Sequence, residues 1–176
     1  KDEFVILGSA DKWLNPLNRQ VFNYILSNIT PDMKMVIFGC DKEQLKQLPD
    51  SVIGIGYITD RNELVKLYSM VDVFVNVTLE DSLPTVNIEA QACGTPVITF
   101  KSGGSPETIS ERTGIVVPKG DKEALLKAIL KIKDRGKAIY EQKCLSHVEK
   151  NFVVEDRYKE YVDLYKNIEE RGGAHI

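Results

Sequence analysis

Asp81 and Glu89 bracket the start of the segment EDSLPTVNIEAQACGTPVITF, residues 80–100, and their types and spacing carry the clearest chemical signal in the chain. With a helix opening at Pro84, a step of about 100° per residue puts Glu89 in one arc with Val86, Ala90, Ala92 and Cys93, and turns Asn87 and Gln91 elsewhere. A carboxylate then lies on the apolar side of a helix, and desolvating such a charge is costly enough to demand a partner. Its two oxygens suit two adjacent hydroxyls, the pair a ribose offers. Asp81, just upstream, could take hydroxyls of the same ligand. The free N–H groups near Thr85 and Val86, at the positive end of the helix dipole, favour an anion such as phosphate. Plainer roles fit the same residues. Asp81 or Ser82 could cap the helix, a contribution of about 1 kcal/mol. Glu89 could pair with a buried Arg or Lys, or lie at a helix edge that solvent reaches.

Short β-rich runs alternating with helical patterns must position these groups. Phe4–Gly8, Met33–Phe38, Val52–Tyr57, Val73–Val77, Pro96–Phe100 and Gly114–Val117 read as six strands. Helical stretches fall at Arg19–Asn28, Lys42–Leu48, Arg61–Met70 and Pro84–Cys93, after Pro106, and at Lys122–Lys133. Pro84 suits a first helical position, where its missing N–H is not needed. Such alternation predicts an α/β fold, a doubly wound, Rossmann-like parallel sheet of six strands flanked by helices. In such sheets ligands bind beyond the carboxyl ends of the strands, among loops leading into helix N-termini. From Lys137 onward the pattern is helical only. Tyr158, Tyr161, Leu164 and Tyr165 form an apolar stripe there, to pack on the sheet or to reach toward a further domain. The tail, residues 171–176, is expected to fray.

The global composition narrows the function classes. With 176 residues, 43% apolar and 28% charged, the chain fits one compact domain, residues 1–170, with a sizeable core. The net charge of −3 comes without a basic block, which argues against nucleic acid as a partner. Cys40, Cys93 and Cys144 form no C-x-x-C pair, and Cys40 and Cys93 sit in apolar runs; reduced thiols of a cytoplasmic protein are expected, with no zinc site. His147 and His175 lie away from the candidate loops and read as structural or surface residues. No apolar run approaches the roughly 20 residues of a membrane span, and no signal-like segment opens the chain. It begins at Lys1, without a Met, and runs straight into a strand, as a piece of a longer protein would.

The stretch EDSLPTVNIEAQACGTPVITFKSGGSPE, residues 80–107, resembles the signature of retaining nucleotide-sugar glycosyltransferases with the two-domain GT-B fold, of the large bacterial group 1, family-four type. There an acidic residue, seven residues and a Glu precede a small-residue helix, then Gly-Thr-Pro-Val-Ile, a Gly-Gly loop and Pro-Glu. Asp81 and Glu89 hold this spacing, and Gly94, Thr95, Pro96, Val97, Ile98, Gly103, Gly104, Pro106 and Glu107 follow in register. More loosely, the likeness runs from Phe4 to about Tyr165, nearly the whole chain but only the C-terminal, donor-binding half of such an enzyme.

What the resemblance implies is transfer of a sugar from a nucleotide-diphosphate sugar to a glycan or lipid-linked acceptor, with retained anomeric configuration and no metal or cofactor. Glu89 aligns with the residue that holds the donor ribose. Asp81 aligns with the catalytic acidic position that contacts the transferred sugar, where Glu is usual. Leu83, Pro84, Thr85 and Val86 would hold the diphosphate, chiefly through backbone amides, and Tyr57 and Ile58 would line the base pocket. Gly8 opens the first loop on the donor side. That loop usually carries an Arg and a Lys that clamp the diphosphate; here Asn15, Pro16, Leu17 and Asn18 stand about there, leaving Lys12 and Arg19 as its cations. Arg19 could reach the phosphates from a shifted position or stay a solvated surface residue, and Trp13 could anchor the loop. Gly103 and Gly104 fall at a turn near the donor in the family, or simply serve a turn that needs positive φ. By the same likeness, the setting is bacterial surface polysaccharide synthesis at the cytoplasmic face of the membrane, with an N-terminal acceptor domain outside this chain making any peripheral membrane contact. Three other readings compete: a catalytically inactive sugar-nucleotide binding module, a sugar-nucleotide epimerase domain, and a receiver-like signalling domain. The last would need an acidic cluster at the end of the first strand, which Phe4–Ala10 does not supply.

Overall fold

The computed structural model of the chain describes residues 3–172. Six strands, β1 (Phe4–Ser9), β2 (Met33–Cys40), β3 (Val52–Gly56), β4 (Val73–Asn76), β5 (Val97–Phe100) and β6 (Gly114–Val117), form one sheet in the order β3-β2-β1-β4-β5-β6. Every pairing is parallel, and β1 meets β4 through Ile6 opposite Val73 and Leu7 opposite Phe74. The helices are α1 (Ala10–Trp13), α2 (Arg19–Asn28), α3 (Lys42–Gln47), α4 (Arg61–Met70), α5 (Thr85–Ala92), α6 (Lys122–Arg135), α7 (Ala138–Asn151) and α8 (Val154–Gly172).

Strand side chains alternate between two buried faces. Ile6, Met35, Ile37, Val73, Val75, Ile98 and Phe100 point to a core closed by Phe22 and Ile25 of α2 and Leu125, Ile129 and Ile132 of α6. Leu7, Val36, Phe74 and Val97 point the other way, onto Tyr68 of α4, Val71 and Ala90 of α5. Runs such as Met33–Phe38, apolar on both faces, are what a sheet covered by helices on both sides requires. The strand order reverses between β1 and β4, so the loops that follow these two strands part and leave a crevice at their carboxyl ends.

The expected strands all form, with shifts of one or two residues at their ends. Val77 drops out of β4 because the Asn76 side chain accepts from the Thr78 amide at 3.1 Å and bends the chain. The first loop holds two elements beyond those its sequence pattern predicts, α1 and a 3-10 turn at Pro16–Asn18 whose start Asn15 caps through the Leu17 amide at 2.9 Å. The helix expected after Pro106 is only a 3-10 turn, Ser105–Thr108. Its Thr108 hydroxyl donates to the Ser105 carbonyl at 2.7 Å, a side-chain bond of the kind that competes with helix propagation. Of the tail, residues 173–176 and with them His175 lie outside the described residues, whereas 171 and 172 close α8. The helical end of the chain divides in its behaviour: α7 packs on α5, while Tyr158, Tyr161, Leu164 and Tyr165 of α8 are all exposed.

Candidate functional site

A groove runs along the carboxyl ends of β1, β2, β3 and β4 in two adjoining parts that share Ile58 and Leu64. One part, about 300 Å³, is bounded by Ser9 and Asp11 after β1, Gly39 of β2, Tyr57 after β3 and Val86 in the first turn of α5. The other, about 410 Å³, is bounded by Asp60, Arg61, Tyr68 and Glu89. Residues far apart in sequence meet here because each follows a strand of the parallel sheet. The groove thus gathers Tyr57, Ile58, Val86 and Glu89 of the residues singled out above.

Glu89 corrects the helical-wheel expectation. It is exposed, and the buried face of α5 is formed by Asn87, Ala90 and Gln91. The wheel assigned burial by polarity, whereas the buried amides of this helix are satisfied one by one. Asn76 Nδ2 donates to Asn87 Oδ1 at 2.9 Å, and Asn87 Nδ2 donates to Thr108 Oγ1 at 2.9 Å. Gln91 Nε2 donates to the carbonyls of Asn87 and Thr108 at 2.9 and 2.7 Å. This network fixes α5 to the end of β4 and to the Ser105–Thr108 turn, and satisfied amides are tolerated inside. Glu89 is therefore not a stranded core charge. Among the described residues no cation pairs with it, and its partner is the buried Tyr68 hydroxyl, which donates to Oε2 at 3.4 Å. Burial, and next the Glu89 charge beside it, hold the Tyr68 ionisation far above the ordinary tyrosine range, so the phenol remains a donor. One carboxylate oxygen is thus engaged, and Oε1 has no donor among the described residues.

Helix α5 begins at Thr85, one residue later than expected, with Pro84 as its buried N-cap. Pro84 has no side-chain oxygen, and among the described residues no side-chain hydrogen bond caps this terminus, so its first amides are uncapped. Asp81 does not cap the helix either: its Oδ1 accepts from the Leu83 amide at 3.2 Å and shapes the turn ahead of it. Leu83 and Thr85 are exposed beside it.

The Gly103-Gly104 segment holds this turn in place. The Gly104 amide donates to the Asp81 carbonyl at 2.9 Å, and the Ser102 hydroxyl donates to the Thr78 carbonyl at 2.8 Å. A Cβ on Gly103 would come within 2.0 Å of the Asp81 oxygen, and one on Gly104 within 1.9 Å of the Ser82 oxygen. Only Gly103 has positive φ, at 48°; Gly104 is at −84°, so its lack of a side chain serves close approach of two backbones.

Gly8 and Arg19 part from the groove. Gly8 is buried, and a Cβ there would strike the Trp13 indole at 2.1 Å. The indole is wholly buried, stacks edge-on with Phe22, and donates from Nε1 to the Val75 carbonyl at 2.8 Å. Gly8 thus makes room for the anchor of the first loop. Asn18 adds a second anchor, donating from Nδ2 to the carbonyls of Lys12 and Val77 at 2.9 Å each. Arg19 lies in a separate recess of about 320 Å³, with Trp13, Asn15, Phe22 and Gln47, away from the start of α5. Sequence reasoning missed Tyr68 and the Asn76–Asn87–Thr108 network; the spacing of Asn87 and Gln91, one helical turn apart, was the available signal.

The architecture defines a Rossmann-like α/β domain with a groove at the switch in strand order. Residues 3–134 match the model of the family described as glycosyl transferases group 1, and the chain belongs to that family. A GDP-mannose-dependent monoacylated alpha-(1-6)-phosphatidylinositol monomannoside mannosyltransferase of Corynebacterium glutamicum is 44% identical over 54 residues, which cover 31% of this chain and 14% of that protein. The UDP-Gal:alpha-D-GlcNAc-diphosphoundecaprenol alpha-1,3-galactosyltransferase of Escherichia coli is 26% identical, with 92% of this chain and 44% of the relative covered. Among solved structures, sucrose-phosphate synthase from Thermosynechococcus elongatus superimposes with a TM-score of 0.76 at 26% identity, covering 97% of this chain and 46% of that one. Anabaena HepE in complex with UDP gives a TM-score of 0.76 at 18% identity, with coverages of 94% and 49%, a likeness of fold. The chain spans less than half the length of each of these proteins. Among the described residues, no helix is long and apolar enough to cross a membrane.

Proposed function

We propose that this chain is the donor-binding half of a retaining, family-four type glycosyltransferase, and that its groove holds a nucleotide-diphosphate sugar. The observation that carries the reading is the placement of Glu89, with Oε1 open, on the same helix as uncapped N-terminal amides at the carboxyl ends of a parallel sheet. In this reading the base lies against Tyr57 and Ile58, the ribose hydroxyls donate to Glu89, and the diphosphate meets the amides near Thr85 and Val86. Asp81, held by Leu83 and Gly104, faces the transferred sugar. Negative charge grows on the diphosphate as the glycosidic bond to it breaks, and fixed amide dipoles stabilise that charge without reorganising. The resemblance at residues 80–107 supports retention of configuration, and no step calls for a metal or cofactor. The acceptor, a glycan or lipid-linked sugar of bacterial surface polysaccharide, would approach from an N-terminal domain outside this chain. The exposed apolar stripe of α8 and the limited coverage of longer relatives support that division. Work at the cytoplasmic side of the membrane fits the same picture.

One observation favours a second reading, an inactive sugar-nucleotide binding module: Arg19 faces its own recess and not the start of α5. Thermal melting with UDP, GDP and their sugars, on the native chain and on Glu89→Ala, tests the shared premise. Ligand at about 100 times its Kd adds roughly 2.7 kcal/mol, a clear rise in Tm, and Glu89→Ala is expected to lose most of it. Failure of every nucleotide to raise Tm refutes the donor site. Binding without sugar transfer by the full-length protein selects the inactive module.

A further inference from the structure

A second recess, of about 420 Å³, lies at the other end of the sheet, where the Ser110–Thr113 turn leads into β6 and α7 passes alongside. Ser110, Arg112, Lys143, Ser146, His147 and Lys150 are among its lining residues, and no carboxylate or apolar side chain lines it. Lys143 and Lys150 are seven residues apart and share a face of α7. Of the acidic residues nearby, Glu141 packs against Gly94, Glu111 borders a different recess, and Glu149, exposed on α7 beside Lys150, is not among the lining residues. Among the described residues none of the three cations has an ion-pair or hydrogen-bond partner. In a chain of net charge −3, three unpaired cations converge on one concavity. All three are exposed at its rim, free to take an anionic partner.

The neutral side chains of α7 at the recess are held by one another. Asn151 Nδ2 donates to the His147 carbonyl at 2.8 Å, which fixes the orientation of that amide, because a carbonyl can only accept. The same nitrogen lies 3.1 Å from His147 Nδ1, which must therefore be the acceptor, leaving the ring proton on Nε2. That Nε2 is buried beside Phe152 with no partner among the described residues, so the ring braces the wall and the recess offers a ligand its cations. Both walls are fixed before any ligand arrives. The turn is closed by the Thr113 amide to the Ser110 carbonyl at 2.9 Å, and buried Cys144 of α7 holds the Thr113 carbonyl at 3.7 Å.

We propose that this recess binds a phosphate group, as a small soluble phosphate or phosphate monoester, remote from the donor groove and independent of the function assigned to it. The occupant is soluble because no lining residue is apolar and none would enter a bilayer. The test is a heteronuclear NMR titration of the native chain with inorganic phosphate, then with glycerol phosphate, against sodium chloride at equal ionic strength. Saturable shifts at residues 110–113 and 143–151 are expected, weakened about tenfold or more in the surface double variant Lys143→Ser/Lys150→Ser, whose Tm should match the native value. Pelleting with phosphatidic acid vesicles, compared with phosphatidylcholine alone, separates the sources; capture that Lys143→Ser/Lys150→Ser abolishes overturns the soluble occupant in favour of a lipid headgroup. No saturable shift up to about 50 mM phosphate overturns the site, and so do shifts that chloride reproduces or that the double variant retains.

Discussion

Replacing Gly104 with alanine isolates the contact between the Gly-Gly segment and the Asp81 turn. The φ and ψ of Gly104, −84° and 4°, are open to any residue, so the new methyl group does not strain the backbone torsion. It would stand 1.9 Å from the Ser82 oxygen, and ordinary contact begins at 3.4 Å, so the two segments must part by about 1.5 Å. That displacement breaks the 2.9 Å bond from the Gly104 amide to the Asp81 carbonyl, a loss of about 1 kcal/mol, and overpacking adds about 1–3 kcal/mol. Reduced freedom of the unfolded chain returns about 0.4–1 kcal/mol. The net expectation is about 2 kcal/mol of destabilisation, or a Tm lower by about 4–8 °C for a chain of this size. Because Asp81 moves with its carbonyl, on the proposed reading transfer by the full-length protein should fall by about 100-fold, the scale of a 1 Å misplacement at a reacting centre. Thermal melting and a transfer assay read the two effects. A Gly104→Ala protein that melts with the native chain and transfers at the native rate would refute the claim that this glycine sets the position of Asp81.

Tyr68→Phe removes the donor to Glu89 while keeping the ring packed against Phe38 and Phe74. The 3.4 Å bond is long, so nucleoside diphosphates should bind about three- to tenfold more weakly with Tm nearly unchanged; equal affinities by calorimetric titration would show that Tyr68 does not orient Glu89. Gly8→Ala should expel the Trp13 indole, costing about 3 kcal/mol or more in urea unfolding. Trp13 is the chain's one tryptophan, so its emission should shift to the red, and an unchanged spectrum would contradict the packing account.

The sheet was legible because both of its faces are covered: runs such as Val73-Phe74-Val75 had to be strands between helices. Strand order was not legible, since it depends on which helix covers which face and not on any local pattern. Glu89 shows where the reading of the site failed and why. Its place near the groove followed from spacing, but its burial was inferred from polarity. Polarity misleads in α5, whose inner face carries Asn87 and Gln91 because Asn76, Thr108 and backbone carbonyls satisfy them. Those partners lie 11 and 21 residues from Asn87, beyond any helical window. Gly8 and Gly104 were legible as glycines but not in their roles, because the neighbour each must admit, Trp13 or the Ser82 carbonyl, is set by tertiary packing.

Ground-state binding and turnover make different demands on the first loop. On the proposed reading a bound diphosphate already carries most of its charge, and the amides at the start of α5 can hold it, with Glu89 on the ribose, whether or not a side-chain cation is near. The further charge that appears as the sugar departs exists only at the transition state, so a cation placed there acts on rate and hardly on affinity. In this chain the loop after β1 is pinned by Trp13 to Val75 and by Asn18 to Val77, and Arg19, next to Asn18, lines the recess that Trp13 also borders. Pinning the loop therefore shapes the groove and keeps Arg19 out of it, while Lys12 pairs with Asp11 at its edge. On the proposed reading, nucleotide affinity should be ordinary and the chemical step slow unless another part of the full-length protein supplies the missing positive charge.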